Sequence, residues 1–417
     1  MQAGRRACRS AQSVICIGFD FSAFAGIYQK LSITTGVVSM NMDEKYKKAG
    51  EIISQAGGTP LPVNDTLIQL LKYFIMEDEV DFIASFNDKK SQTMEQLKLS
   101  SGLPEEEINK KVKDLAARGV IFNQPNSKGI MVFRLLPLFN VGTFEYNFMG
   151  KLVINERNRE IAALFNKLFS ELDSMVQANY DAIIPMLMTT PPIDRTVPVL
   201  ENQPKNEPVK IIIDEDLETG IDRIVPSQRV EELITKFDEI ALGHCFCRHY
   251  KDMQGTPCKQ TDERETCFTF GKSARFTSEQ GFSRMIAKDE ALKVLKRAEE
   301  AGLVHKAYHP NFDISKDETS ICNCCRCCCG NGVDNMLAPI SNVTNFISVV
   351  NDDLCIGCGT CIEKCHTYAA YLNDDKKARR KEERCIGCGV CAHFCPQNAI
   401  SMVKGKERIV RIPPKKK

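Results

Sequence analysis

Two copies of one cysteine pattern constrain this chain more than any other feature. Cys355-Ile-Gly-Cys358-Gly-Thr-Cys361-Ile-Glu-Lys-Cys365 is repeated as Cys385-Ile-Gly-Cys388-Gly-Val-Cys391-Ala-His-Phe-Cys395-Pro396, with every cysteine displaced by the same interval. This is an internal duplication. A C-x2-C-x2-C spacing lets one tight loop offer three thiolates to three corners of a single cubane, with its amides free to point at the sulfides. Gly357, Gly359, Gly387 and Gly389 permit the close backbone approach such a loop needs. Structural zinc sites usually pair two separated knuckles, and secreted disulfide scaffolds spread their cysteines around a small domain. Neither accounts for an eight-cysteine duplication, so the pattern reads as iron-sulfur ligation.

These motifs resemble the two-cluster domain of bacterial-type ferredoxins. In that family the fourth cysteine of each repeat ligates the other cluster. The resemblance therefore implies one 4Fe-4S cluster on Cys355, Cys358, Cys361 and Cys395, and a second on Cys385, Cys388, Cys391 and Cys365. It also implies single-electron transfer at the low end of the ferredoxin range, near roughly -400 mV. One departure is His366, which stands where the first repeat often carries proline; it is read as a surface residue or a neighbour of the ligands. Ile356 and Ile386 are expected to shield the clusters. The charged stretch 374–384 and the tail Lys415-Lys416-Lys417 need no role beyond solvation, although the former is placed to meet a partner.

The remaining cysteines extend the metal reading upstream. Of 20 in the chain, all but Cys8 and Cys16 lie between Cys245 and Cys395. Ten of them form a middle group: Cys245, Cys247, Cys258, Cys267, Cys322, Cys324, Cys325, Cys327, Cys328 and Cys329. One candidate set is Cys245, Cys247, Cys258 and Cys267, with four of the later six as another; the pairing does not follow from spacing. One or two further iron-sulfur clusters are expected ahead of zinc, and zinc ahead of thiol redox chemistry; ligand softness does not discriminate, because thiolates suit both metals. Arg248 and Arg326 are read either as donors to sulfur or as ordinary salt-bridging arginines, while His244, His249, His305 and His309 are read as structural.

Composition narrows the setting. A formal net charge of +1 gives no global attraction to nucleic acid or to anionic membrane. No apolar run reaches the roughly 18 residues of a membrane-spanning helix. Crowded cysteines in a long chain point to a reducing cytoplasm. At the start, Arg5 and Arg6 precede an apolar stretch that Asp20 interrupts, which argues against a secretion signal. Residues 1–39 are read instead as an uncertain extension before Met40 and Met42.

Along the chain the expected fold class is α+β and multidomain. Residues 64–76 carry apolar side chains at helical spacing, with Asp65 as the expected N-cap. Met94–Leu99, a turn at Gly102 and a helix from Pro104 to Arg118 form a helix-turn-helix, followed by strands 120–123 and 130–136. This pattern resembles a winged-helix domain. Lys110, Lys111, Lys113 and Lys128 could meet phosphates, but Glu105, Glu106 and Glu107 at the helix entry repel them, so structural or protein-docking use is favoured. The expected division is an extension (1–42), a winged-helix-like domain (43–150), a helical segment (151–190), a Pro-rich linker or extended crossing (191–225), a cysteine-rich metal-binding module (226–340) and the dicluster domain (341–417).

Beyond Met42 this combination resembles iron-sulfur proteins of anaerobic bacteria and archaea described as 4Fe-4S ferredoxin-type proteins. No dinucleotide or metalloprotease signature is present, and Gly271-Lys272-Ser273 lacks the first glycine of a phosphate loop, with Thr266 in its place. The functional expectation is an electron carrier or oxidoreductase subunit serving a redox partner. Its alternatives are a reductase with an active cluster in the middle module and a redox-sensing winged-helix regulator.

Overall fold

The computed structural model describes residues 41–57, 61–151, 153–192, 194–199, 230–310 and 316–417. The expectations for residues 1–39 lie outside them. The described chain mixes helix and sheet, and none of its helices is long and apolar enough to cross a membrane.

The first part is helical. Helix Asp65–Leu71 is capped by Asn64, whose side chain accepts from the Leu67 amide at 3.0 Å; Asp65 is the first helical residue, one position later than the cap. Thr93 starts Met94–Ser101 with a capping box, its amide donating to Gln96 Oε1 at 3.1 Å. Gly102, at φ +69°, ends that helix, and Glu105–Ala117 follows with Ile108, Val112 and Leu115 buried. Strands Ser91–Gln92, Met131–Leu135 and Ile121–Pro125 then form a small antiparallel sheet in that spatial order. Helices Thr143–Met149 and Glu156–Ala178 complete an aromatic core in which Phe144 packs 4.8 Å from Phe165 and 5.3 Å from Tyr250. Tyr250 belongs to helix Phe246–Met253 of the cysteine-rich region, so the two regions share a core.

An eight-stranded sheet carries the cysteines. Its order is Ile400–Ile412, Ile340–Val350, Asp194–Val197, Val304–Tyr308, Ser320–Cys324, Glu265–Phe270, Ile240–His244 and Arg284–Met285. All pairings are antiparallel except Ile340–Val350 beside Asp194–Val197. The short Asp194–Val197 strand lies in the segment read as an extended crossing, and it joins the cysteine-rich strands to the C-terminal ones. It is held by a buried polar network in which Lys306 Nζ lies 3.2 Å from Asp194 and Arg195 lies 2.6 Å from Glu318. Buried charges of this kind persist only when paired.

The period of two along each strand sorts side chains to two faces. Phe268, Ile321 and Ala307 face helices Val230–Lys236 and Lys288–Glu300 in one hydrophobic cluster. Cys322 and Cys324 alternate with these, and Cys267 pairs directly with Cys322 across the ladder. The thiols thus share the opposite face. At Gly243, on this side, an added Cβ would come within 2.6 Å of Met149, so helix Thr143–Met149 lies hard against the sheet. The C-terminal lysines, read as solvated, are paired: Lys416 lies 2.7 Å from Asp181, and Lys417 bonds Asp173.

Candidate metal centres

Each half of the duplicated motif forms a loop, one short helix (Thr360–Glu363 or Val390–His393) and a fourth cysteine beyond it. Cys355, Cys358, Cys361 and Cys395 line one cavity of about 350 Å³ including its mouth, closed on other sides by Leu372 and Ile400. The residues meeting there come from both repeats. Cys365 is not among them; its neighbours are Cys385, Cys388 and Cys391, whose charges act on one another.

Sulfur atoms in both groups receive hydrogen bonds. The Ala399 amide donates to Cys395 Sγ at 3.2 Å, the Ala369 amide to Cys365 Sγ at 3.2 Å and the Ala378 amide to Cys355 Sγ at 3.4 Å. A basic side chain caps each loop: Lys377 Nζ donates to the Cys355 carbonyl at 2.7 Å, and Arg408 donates to the Cys385 carbonyl. Burial, followed by the nearby charges of Cys358, Cys355 and Cys395, pushes the Cys361 thiol up. Burial and then Cys385 push Cys391 up to about 12. Thiols gathered this closely resist ionising together without a positive centre among them, and amide donors favour the ionised form once one is bound. The residues present therefore fit a thiolate-ligated cluster.

The surroundings of the two loops differ. Ile356 is 65% exposed and Cys358 is exposed, whereas Ile386 is 4% exposed and packs with Val304, Ile340 and Ile412. His366 is buried, and its Nε2 donates to the Gly302 carbonyl at 2.9 Å; burial pushes its pKa down to about 4, leaving it neutral. Of the two placements foreseen for His366, a neighbour of the ligands describes it and a surface residue does not.

In the middle region the structure groups the cysteines differently from the candidate sets. Cys258 lies with Cys325, Cys327 and Cys328, the four Sγ atoms all within 4.8 Å of one another. Cys267, Cys322, Cys324, Cys329 and Cys247 form a second chain of neighbouring thiols. Hydrogen bonds from Cys325 and then Cys328 hold Cys258 low, and a bond from Cys325 lowers Cys327 to about 6, while Cys325 and Cys328 as donors are pushed up. Arg248 is fully buried, donating to the Asn323 carbonyl at 3.1 Å and to Thr266 Oγ1. Burial alone would lower its pKa, but Cys245, Cys325 and Cys258 outweigh that and raise it. Arg326 instead reaches the carbonyl of Cys365 at 3.1 Å, joining the middle region to the duplicated module.

None of the four flanking histidines joins the Cys258 group. His249 Nδ1 donates to the Phe148 carbonyl at 2.7 Å, His309 Nδ1 to that of Lys316 at 2.7 Å, and His305 Nδ1 lies 2.5 Å from Asn323 Oδ1. The His244 ring lies beside that of His249, with centroids 5.7 Å apart and the planes tilted by 57°. Sequence reasoning overlooked Lys377, Arg408 and Lys306. The first two act on carbonyls distant in sequence, and no local pattern marks them; a lysine within the otherwise buried strand Val304–Tyr308 was a usable signal for the third.

The site and the comparisons agree on a class. A protein-family model described as a 4Fe-4S dicluster domain matches residues 348–402, which contain all eight cysteines of the duplication. The C-terminal part is thus a ferredoxin-like dicluster domain in an iron-sulfur, metal-binding protein. No curated protein matches the chain.

Proposed function

We propose that the chain is an electron-transfer protein, or the electron-transfer subunit of an oxidoreductase, that passes single electrons to or from a partner protein. The observation that carries this reading is the cavity lined by Cys355, Cys358, Cys361 and Cys395, three thiols from one repeat and the fourth from the other. It supports the crossed ligand sets, with Cys385, Cys388, Cys391 and Cys365 forming the complementary group. Two 4Fe-4S clusters, when bound, supply one-electron chemistry at low potential. The protein's part is to hold eight thiolates, donate amides to sulfur, and set exposure. Ile356 and Cys358 open the first loop to solvent, so a partner meets the module on that side. Arg326 donates to the carbonyls of Glu363 and Cys365, so the end of the first repeat, which carries one thiol of the second ligand group, is tied to the middle region.

A cytoplasmic setting in an anaerobe suits thiolates and clusters that oxygen destroys. Residues 43–150 fit a winged-helix-like unit used for packing and docking. Lys98 lies 2.6 Å from Glu105, and Lys111 lies 3.5 Å from Asp78, while Glu105–Glu107 stay exposed at the helix start, an arrangement that opposes DNA binding. Iron and sulfide analysis of the anaerobically purified full chain, with electron paramagnetic resonance after reduction, tests the reading. About eight irons in two reducible 4Fe-4S centres are expected; an iron-free or irreducible C-terminal module rejects it.

A further inference from the structure

We infer that Cys258, Cys325, Cys327 and Cys328 bind a single zinc ion, distinct from the two clusters of the duplicated module. Size carries the assignment. Cys258 and Cys327 have their Sγ atoms 3.6 Å apart, and Cys327 and Cys328 theirs 3.7 Å apart. A tetrahedral ion with zinc–sulfur bonds near 2.3 Å places its ligand sulfurs about 3.8 Å from one another. A cubane sets its own irons and sulfides between the ligand sulfurs and holds them further apart. Among the described residues no other three Cys, His, Asp or Glu ligand atoms gather this closely, and the eight cysteines of the duplication do not. The chain therefore presents two different spacings of four thiols, one fitting a cluster and one fitting an ion.

The surroundings fit the same ion. Cys258 sits on the loop before strand Glu265–Phe270, and the other three follow strand Ser320–Cys324, so the ion ties together two loops that the sheet brings side by side. The amides of Gln260 and Thr261 donate to Cys258, and the Lys259 amide donates to Cys327. Four thiolates around one divalent ion carry a net charge of about -2. The buried Arg248 guanidinium, hydrogen-bonded to Cys325, supplies compensating positive charge. All four ligand positions are protein thiolates, the closed arrangement of a structural rather than a catalytic zinc site. Zinc has no redox chemistry, so this site braces the platform beside the dicluster domain and does not relay electrons.

The test uses the full chain, produced with iron and zinc both supplied and purified anaerobically. X-ray absorption at the zinc edge is expected to show about one zinc per chain with a single shell of four sulfurs near 2.3 Å. Cys258→Ser should lower bound zinc at least about fivefold while the iron content stays near that of the wild type. Absence of zinc from the wild type, oxygen or nitrogen in its shell, or loss of about four irons on Cys258→Ser overturns the assignment. The wild-type spectrum decides the matter even where the variant fails to fold.

Discussion

The two halves of the duplicated module have the same cysteine spacing and opposite surroundings. Gly359 and Gly389 are equivalent, at φ +80° and +78°, yet a Cβ at Gly359 meets nothing within 4 Å while one at Gly389 comes within 2.3 Å of the Val199 carbonyl oxygen. Ile356 faces solvent, and Ile386 is buried under strand Ile340–Val350. The Val199 amide also bonds the Cys388 carbonyl at 3.0 Å. The repeat dictates how thiols are offered; the sheet dictates which loop is open to a partner. Duplication thus yields one outward and one sealed half from a single motif.

Gly389→Ala tests the difference most strongly. It combines left-handed strain with a backbone collision and should cost on the order of 4 kcal/mol, against about 1 kcal/mol for Gly359→Ala, where only the strain applies. Thermal unfolding of the two variants reads this, and equal losses would break the comparison. Ile386→Ala should cost about 2–4 kcal/mol through the cavity it leaves, whereas Ile356→Ala should stay within about 0.5 kcal/mol of wild type. Ferricyanide should bleach the visible absorption in two phases, the faster belonging to the half at Cys358 and vanishing in Cys358→Ser. At the small end, Arg379→Ala removes the exposed pair with Asp352, 2.7 Å apart, and should change stability by less than about 1 kcal/mol.

Local rules made much of this legible. The eight ligand candidates follow from spacing, and the helix after Pro104 follows from its apolar period and Gly119, which stands at φ +71° just past the helix end. The cap at Asn64 was missed by one residue because Asn64 and Asp65 are both good caps, and only the backbone decides between them. The grouping of Cys258 with Cys325, Cys327 and Cys328 was out of reach, because it depends on strand register. Cys322 and Cys324 are set on one face by the strand, while the next cysteines leave it for a loop. The sealing of Ile386 was equally hidden, since Val304, Ile340 and Ile412 reach it from distant parts of the chain. Ile356 and Ile386 look alike in sequence, and shielding was expected of both.

The account turns on each half supplying one ligand to the other's cluster, and iron counts on two double variants test it directly. With crossed ligation, Cys358→Ser with Cys395→Ser removes two ligands from one cluster and should leave about four irons, whereas Cys388→Ser with Cys395→Ser damages both and should leave almost none. The reverse order, with the second pair retaining about four irons and the first almost none, would contradict it.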